Sequence, residues 1–214
     1  MAGGTVLLLR RPRAHVLSQY VHCKVSGDHS YGWSALPQSF GEWVRAWQSL
    51  RLRAQGAGDF SPPAGGKPLE GHPFMCFRPL SLQSQRLTCE EPMAYPVTID
   101  AEAAIRSMLE VEFVGLVEAY QESVCLLQAL VRGSVADHCN CSDGARWRSF
   151  RGHRLTHRAP GAASPRWEDY PPEVLEAVDD LTGEDRALYE AAVRRFRAEV
   201  REVEMRLGVR ILCR

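Results

Sequence analysis

Close to its start the chain runs through five aliphatic or β-branched positions, Thr5 to Leu9, with no polar residue between them. A short run that does not alternate predicts a strand buried on both faces, as in a parallel sheet. Pro12 suits the first turn of a helix, where its missing N–H costs nothing. Beyond it Val16, Leu17, Tyr20 and Val21 fall on one helical stripe, while Arg13, Gln19 and Lys24 can stay wet. The unit predicted is strand, tight turn, helix.

The polar stretch from Lys24 to Pro37 reads as a loop. Ser39 to Gln55 predicts a second helix, with Trp43, Trp47 and Leu50 at helical spacing; no basic stripe accompanies them, so they read as core rather than a stacking platform. Residues 56–73 are rich in Gly and Pro and read as a flexible insertion. "YPVTID" from Tyr95 suggests a short strand, Asp100 can cap a helix through Glu110, and Glu112 to Glu118 is another apolar, strand-like run. An amphipathic helix follows from Tyr120 to Val131. After a polar section from Arg132 to Arg166 come a short helix, Pro171 to Asp180, and a long one opening at Thr182. Asp185, three residues on, makes an acidic variant of the capping box. Leu188, Ala192, Phe196, Val200, Val203 and Leu207 form the buried face of the long helix, and its many arginines and glutamates an outer, salt-bridged one. Strand and helix alternate twice, which predicts an α/β fold.

Charge adds little to this picture. Lys plus Arg and Asp plus Glu are both 26 among the 214 residues, so no global pull toward nucleic acid or membrane follows. The 45% apolar share is that of a globular chain. No run approaches the ~20 apolar residues of a membrane span, and "TVLLL" is too short for a signal-peptide core. The seven cysteines are scattered and suggest no small disulfide framework, leaving the compartment open.

Three motifs invite chemistry. "GGK" at Gly65 to Lys67 lacks the Gly-x4-Gly-Lys-Ser/Thr spacing of a phosphate loop and is followed by Pro68. "HCNC", His138 to Cys141, stands eleven residues ahead of "HRLTH", His153 to His157, close to a two-Cys, two-His zinc finger. The cysteines, one residue apart, are too near for one tetrahedral metal, so no metal site is assigned; if either is oxidised, its partner is distant. The third motif is the strand–helix junction itself. Arg10 ends the strand and Ser18 lies in the second helical turn, roughly 9 Å along the axis from the helix start. Either the arginines are solvated, or Arg10 and Ser18 share one phosphate at the carboxyl end of a parallel strand.

Two segments together resemble the Golgi-type carbohydrate sulfotransferases, which use 3′-phosphoadenosine-5′-phosphosulfate (PAPS). "LLLRRPRAHVLSQY" is similar to the family's 3′-phosphate motif: apolar strand, Arg-x-Pro, then Ser eight residues after the Arg. "FVGLVEAYQESVCLLQALV" is similar to its Phe-Val-Gly-x-x-Glu segment and the following helix. "LSLQSQRLTC" and "DDLTGEDRALYEAAVRRF" resemble the Gln-containing segment and the closing helix. Arg11 stands where the family often has Asp or Asn, and His15 where a second basic residue is common.

The resemblance implies an α/β, P-loop-like three-layer fold, present in part: a small parallel sheet flanked by helices, with a helical carboxyl-terminal part. It implies transfer of a sulfuryl group from PAPS to a hydroxyl of a carbohydrate-type acceptor, in the Golgi lumen. Nucleic acid is not among the implied partners. Arg10 and Ser18 would hold the 3′-phosphate. The basic loop Arg151 to Pro160 would close over the nucleotide, with His157 and Arg158 beside the Pro160–Gly161 turn. The family's lysine-bearing 5′-phosphosulfate loop, general base and membrane anchor would all lie upstream of Met1. The expectation is one sulfotransferase-like domain over 1–214 without its 5′-binding part, inactive by itself. The alternative is a non-catalytic module that binds nucleotide or protein with the second half of the fold.

Overall fold

The structure is a computed structural model that describes residues 4–25, 39–57, 78–88, 99–150 and 166–213. It is predominantly helical with a small parallel sheet, compatible with the α/β class. The elements are β1 (Val6–Leu9), α1 (Pro12–Val25), α2 (Phe40–Ala57), α3 (Leu82–Leu87), α4 (Ala101–Glu110), β2 (Phe113–Leu116), α5 (Tyr120–Arg132), α6 (Gly144–Arg148), α7 (Pro172–Leu181) and α8 (Gly183–Leu207). Single 3-10 turns lie at Val117–Ala119, Asp137–Cys139 and Trp167–Asp169. The chain divides into two compact units, one of residues 1–10, 106–156 and 189–214, the other of residues 11–105 and 157–188.

In the first unit β1 pairs with β2 in parallel, Val6 opposite Phe113 and Leu9 opposite Leu116. All of β2 is buried, and α5 packs on it. Gly115 is what lets these parts meet. A Cβ there would lie 2.6 Å from Leu8 Cδ2 and 3.0 Å from Ser123 Cβ. The Ser123 hydroxyl accepts from the Leu116 N–H at 2.8 Å and lies 2.8 Å from the Ala119 carbonyl, stitching the strand end to the helix start. β1 departs from expectation: Val6 and Leu8 are 53% and 46% exposed, so only one of its faces is covered.

The carboxyl-terminal helix has its predicted buried face from Ala192 to Val203. Arg195, however, is not part of a solvated outer face. Its guanidinium donates to the carbonyls of Met108 and Val111 at 2.7 Å each and pairs with Glu199, so it closes the end of α4, whose last carbonyls have no helical partner. Gly208, at φ 65°, reverses the chain after α8, and the Glu204 carboxylate receives the N–H groups of Ile211 and Leu212.

Two disulfides complete this unit, Cys125–Cys139 and Cys141–Cys213. The sequence left the oxidation of these cysteines open; here Cys125, Cys139, Cys141 and Cys213 are paired. The neighbouring Cys139 and Cys141 indeed take distant partners.

In the second unit α1, α2 and α7 enclose an aromatic core of Tyr20, Phe40, Trp43 and Trp47 with Val16, Leu17 and Val178. Pro12 opens α1 as predicted. The Arg13 guanidinium, expected wet, makes a two-pronged pair with Asp179 of α7 at 2.8 and 2.5 Å and lies over the Trp167 ring. Gln19 was also expected in water. It is buried, and neither end of its carboxamide finds a hydrogen bond. Gly56 and Ala57, read as the start of a flexible insertion, finish α2; residues 58–73 lie outside the described residues. The "YPVTID" strand falls mostly outside them too, but Asp100 does cap α4, accepting from the Ala103 N–H at 2.9 Å.

The capping box at Thr182 does not form. The Thr182 hydroxyl donates back to the Val178 carbonyl, and Asp185 instead receives the N–H groups of Ser84 (2.7 Å) and Gln83 (3.3 Å), capping α3 from another element. Ser81, just ahead of α3, is held in the left-handed region at φ 41° by an N–H bond to the Leu181 carbonyl and a hydroxyl bond to Glu184. Burial pushes the Asp185 carboxyl above its ordinary 3.8, against the opposing pull of the two N–H groups. The native state therefore holds this proton more tightly than the unfolded chain. The group's contribution to stability is full below 3.8 and is lost as pH climbs through the raised value. Urea unfolding of wild type and Asp185→Asn at successive pH values should show wild type losing stability relative to the variant as pH rises through that window. A constant difference would contradict the burial argument.

Candidate functional site

In parallel sheets the carboxyl ends of the strands, where the chain turns into helices, are where ligands gather. Here that edge belongs to the first unit. Leu9 pairs with Leu116, so Arg10 stands level with Val117, the first residue of the 3-10 turn after β2. Arg10 is half-buried. Glu118 lies in the same turn, and the Tyr189 hydroxyl donates to its Oε2 at 2.9 Å. Behind it α5 begins at Tyr120, with Glu122 buried in its first turn.

The edge thus carries Arg10, the residue after β1, and a held carboxylate from the turn after β2. The first was read from the sequence as a phosphate ligand. The second was not, although Glu118 follows directly on an apolar strand in a quoted segment, which was the available signal. Its carboxylate suits holding a hydroxyl or a proton rather than an anion.

Ser18 lies in α1, within the second unit, and is half-buried next to the buried Gln19. His157 and Arg158, with the rest of the basic loop, lie outside the described residues.

At the rejected zinc motif, Cys139 and Cys141 belong to different disulfides, which leaves no pair of thiolates between them. Cys125, His138 and Cys139 do place their ligand atoms within 4.8 Å of one another, but the two sulfurs are bonded to each other. His153 lies outside the described residues, as His157 does.

Among the described residues no helix is long and apolar enough to cross a membrane. Compared with known proteins, the chain matches no family, no curated protein and no solved structure.

Proposed function

We propose that this chain is a sulfotransferase-type domain that grips the 3′-phosphate of PAPS and of its product adenosine 3′,5′-bisphosphate, serving sulfuryl transfer to a carbohydrate hydroxyl. The observation that carries the reading is Arg10 at the carboxyl end of β1, in a parallel sheet, with Pro12 opening a helix directly after it. A guanidinium presents a planar fork of donors that matches phosphate oxygens, and such charge-assisted bonds outweigh neutral ones. The sequence spacing adds the Ser18 hydroxyl, and the family resemblance adds His157 and Arg158. The P-loop-like three-layer fold belongs to the same proposal. The disulfides favour an oxidising compartment such as the Golgi lumen.

The residues fit only the 3′ end of the nucleotide. The chain has two lysines, Lys24 within the first helix and Lys67 before a proline, and neither follows an apolar strand. Positive charge on the leaving phosphate is usually a dominant catalytic contribution. No transfer step is therefore assigned to this chain.

Calorimetric titration is the test. Purified chain should bind adenosine 3′,5′-bisphosphate more tightly than adenosine 5′-monophosphate, with Arg10→Ala weakening the bisphosphate by about tenfold or more, the scale of one charged hydrogen bond. It should transfer no labelled sulfate from PAPS to a polysaccharide. Equal affinity for the two nucleotides would remove the 3′-phosphate from the account.

A further inference from the structure

The chain contains a single asparagine, Asn140, and it opens the triplet Asn140–Cys141–Ser142. Asn-x-Ser with a middle residue other than proline is the acceptor sequence for an N-linked oligosaccharide, and it is used where it lies on a surface loop of a chain in the secretory pathway. The structure meets both conditions here. Asn140 follows the 3-10 turn Asp137–Cys139 and precedes Asp143, which caps α6. Asn140 is half-buried, whereas Ser142, Gly144, Ala145 and Arg146 are exposed, so the segment runs along the surface. The Asn140 Oδ1 accepts the Ser142 N–H at 3.1 Å, closing an Asx-turn. The fold therefore holds the carboxamide by its oxygen, which is not the reacting atom. The compartment is indicated by the flanking cysteines: Cys139 and Cys141 each belong to a disulfide, as expected in an oxidising lumen.

We propose that Asn140 is an N-glycosylation site. Its Nδ2 takes C1 of the first sugar of a lipid-pyrophosphate-linked oligosaccharide. The nitrogen–C1 bond forms, the bond from C1 to the pyrophosphate oxygen breaks, that oxygen keeps the electron pair, and the amide proton passes to a base of the membrane-bound transferase. The Ser142 hydroxyl is the group by which the transferase recognises the triplet.

The disulfides also order the events. Cys141, the middle residue of the triplet, pairs with Cys213, 72 residues further along. A chain that enters the lumen amino end first presents Asn140 before Cys213 arrives. Once that bond has closed, Cys141 is tied by its sulfur and by its N–H to the Arg210 carbonyl at 2.7 Å, and the triplet can no longer be drawn out into another enzyme's site. Glycosylation therefore precedes closure of Cys141–Cys213. None of this depends on nucleotide binding.

Two measurements test the site. The full chain, translated behind a cleavable signal sequence with rough microsomes, should give a protease-protected species that is one glycan heavier and returns to the unmodified mass with peptide-N-glycosidase. Asn140→Gln and Ser142→Ala should each abolish that species, while Ser142→Thr should keep it. Cys213→Ser should be glycosylated at least as fully as wild type, because its triplet stays free. The chain recovered from the cells that make it, digested with the same enzyme in heavy-oxygen water, should carry a labelled Asp at position 140. A protected wild-type chain without the heavier species, a heavier species that survives Asn140→Gln, or an unlabelled position 140 in the cellular protein would overturn the proposal. Lower occupancy in Cys213→Ser would overturn the order of events.

Discussion

Trp43→Ala should lower the unfolding free energy by about 3–5 kcal/mol, the range for emptying a buried large aromatic site. Trp43 is 0% exposed and sits at the middle of the aromatic cluster, with ring centroids 5.6 Å from Tyr20, 6.2 Å from Phe40 and 6.5 Å from Trp47. Its neighbours come from α1 and α2, elements pinned also by the Arg13–Asp179 pair and by the bond from Arg51 to the Asp180 carbonyl. They cannot collapse into the space without breaking these links, so most of the cavity cost should persist. Trp43→Phe should lose much less, because the indole N–H has no hydrogen bond to forfeit. Leu52→Ala, at a position 63% exposed on the same helix, should fall within about 0.5 kcal/mol of wild type. Denaturant unfolding of the three variants checks the ranking. A Trp43→Ala loss no larger than that of Leu52→Ala would show that the aromatic cluster is not the core of its unit.

The second large effect is expected from the disulfide Cys141–Cys213. It spans 72 residues of sequence, and closing a loop of that length in the unfolded chain is worth roughly 4 kcal/mol. The native structure around it is already shaped for the link. Cys141 donates its N–H to the Arg210 carbonyl at 2.7 Å, and Glu204 holds the returning tail at Ile211 and Leu212. The double variant Cys141→Ser, Cys213→Ser should therefore unfold at clearly lower denaturant. Cys125–Cys139 spans 14 residues and should contribute less, about 3 kcal/mol. An unchanged midpoint in the first double variant would mean that the tail is held without the bond.

Where local pattern decides structure, the sequence was a good guide. Pro12 opens α1, Asp100 caps α4, and the stripes of α5 and α8 face inward as their spacing requires. The parallel partnership of β1 with β2 also follows from unalternating apolar runs. Departures arise where a partner distant in sequence wins. Asp185 looks like a local cap but serves Ser84, 101 residues away, because α3 brings unpaired N–H groups to it. Arg195 looks like one more surface arginine until the end of α4 offers it carbonyls. Gln19 lies at the border of an apolar stripe that proves wider than four residues. Disulfide connectivity cannot be read from spacing, beyond the steric reason that Cys139 and Cys141 do not pair with each other. At the candidate site Arg10 was legible because a basic residue ends an apolar strand. Glu118 was not, since its position at the same end of the sheet as Arg10 depends on the β1–β2 register.

The most direct measurement for the central claim is the bisphosphate titration of wild type and Arg10→Ala, with adenosine 5′-monophosphate as the comparison ligand. Preference for the 3′-phosphorylated nucleotide in wild type, lost in Arg10→Ala while the variant's unfolding midpoint is unchanged, is the result the account predicts. Wild type that does not distinguish the two nucleotides, or a preference that survives the loss of Arg10, would contradict it.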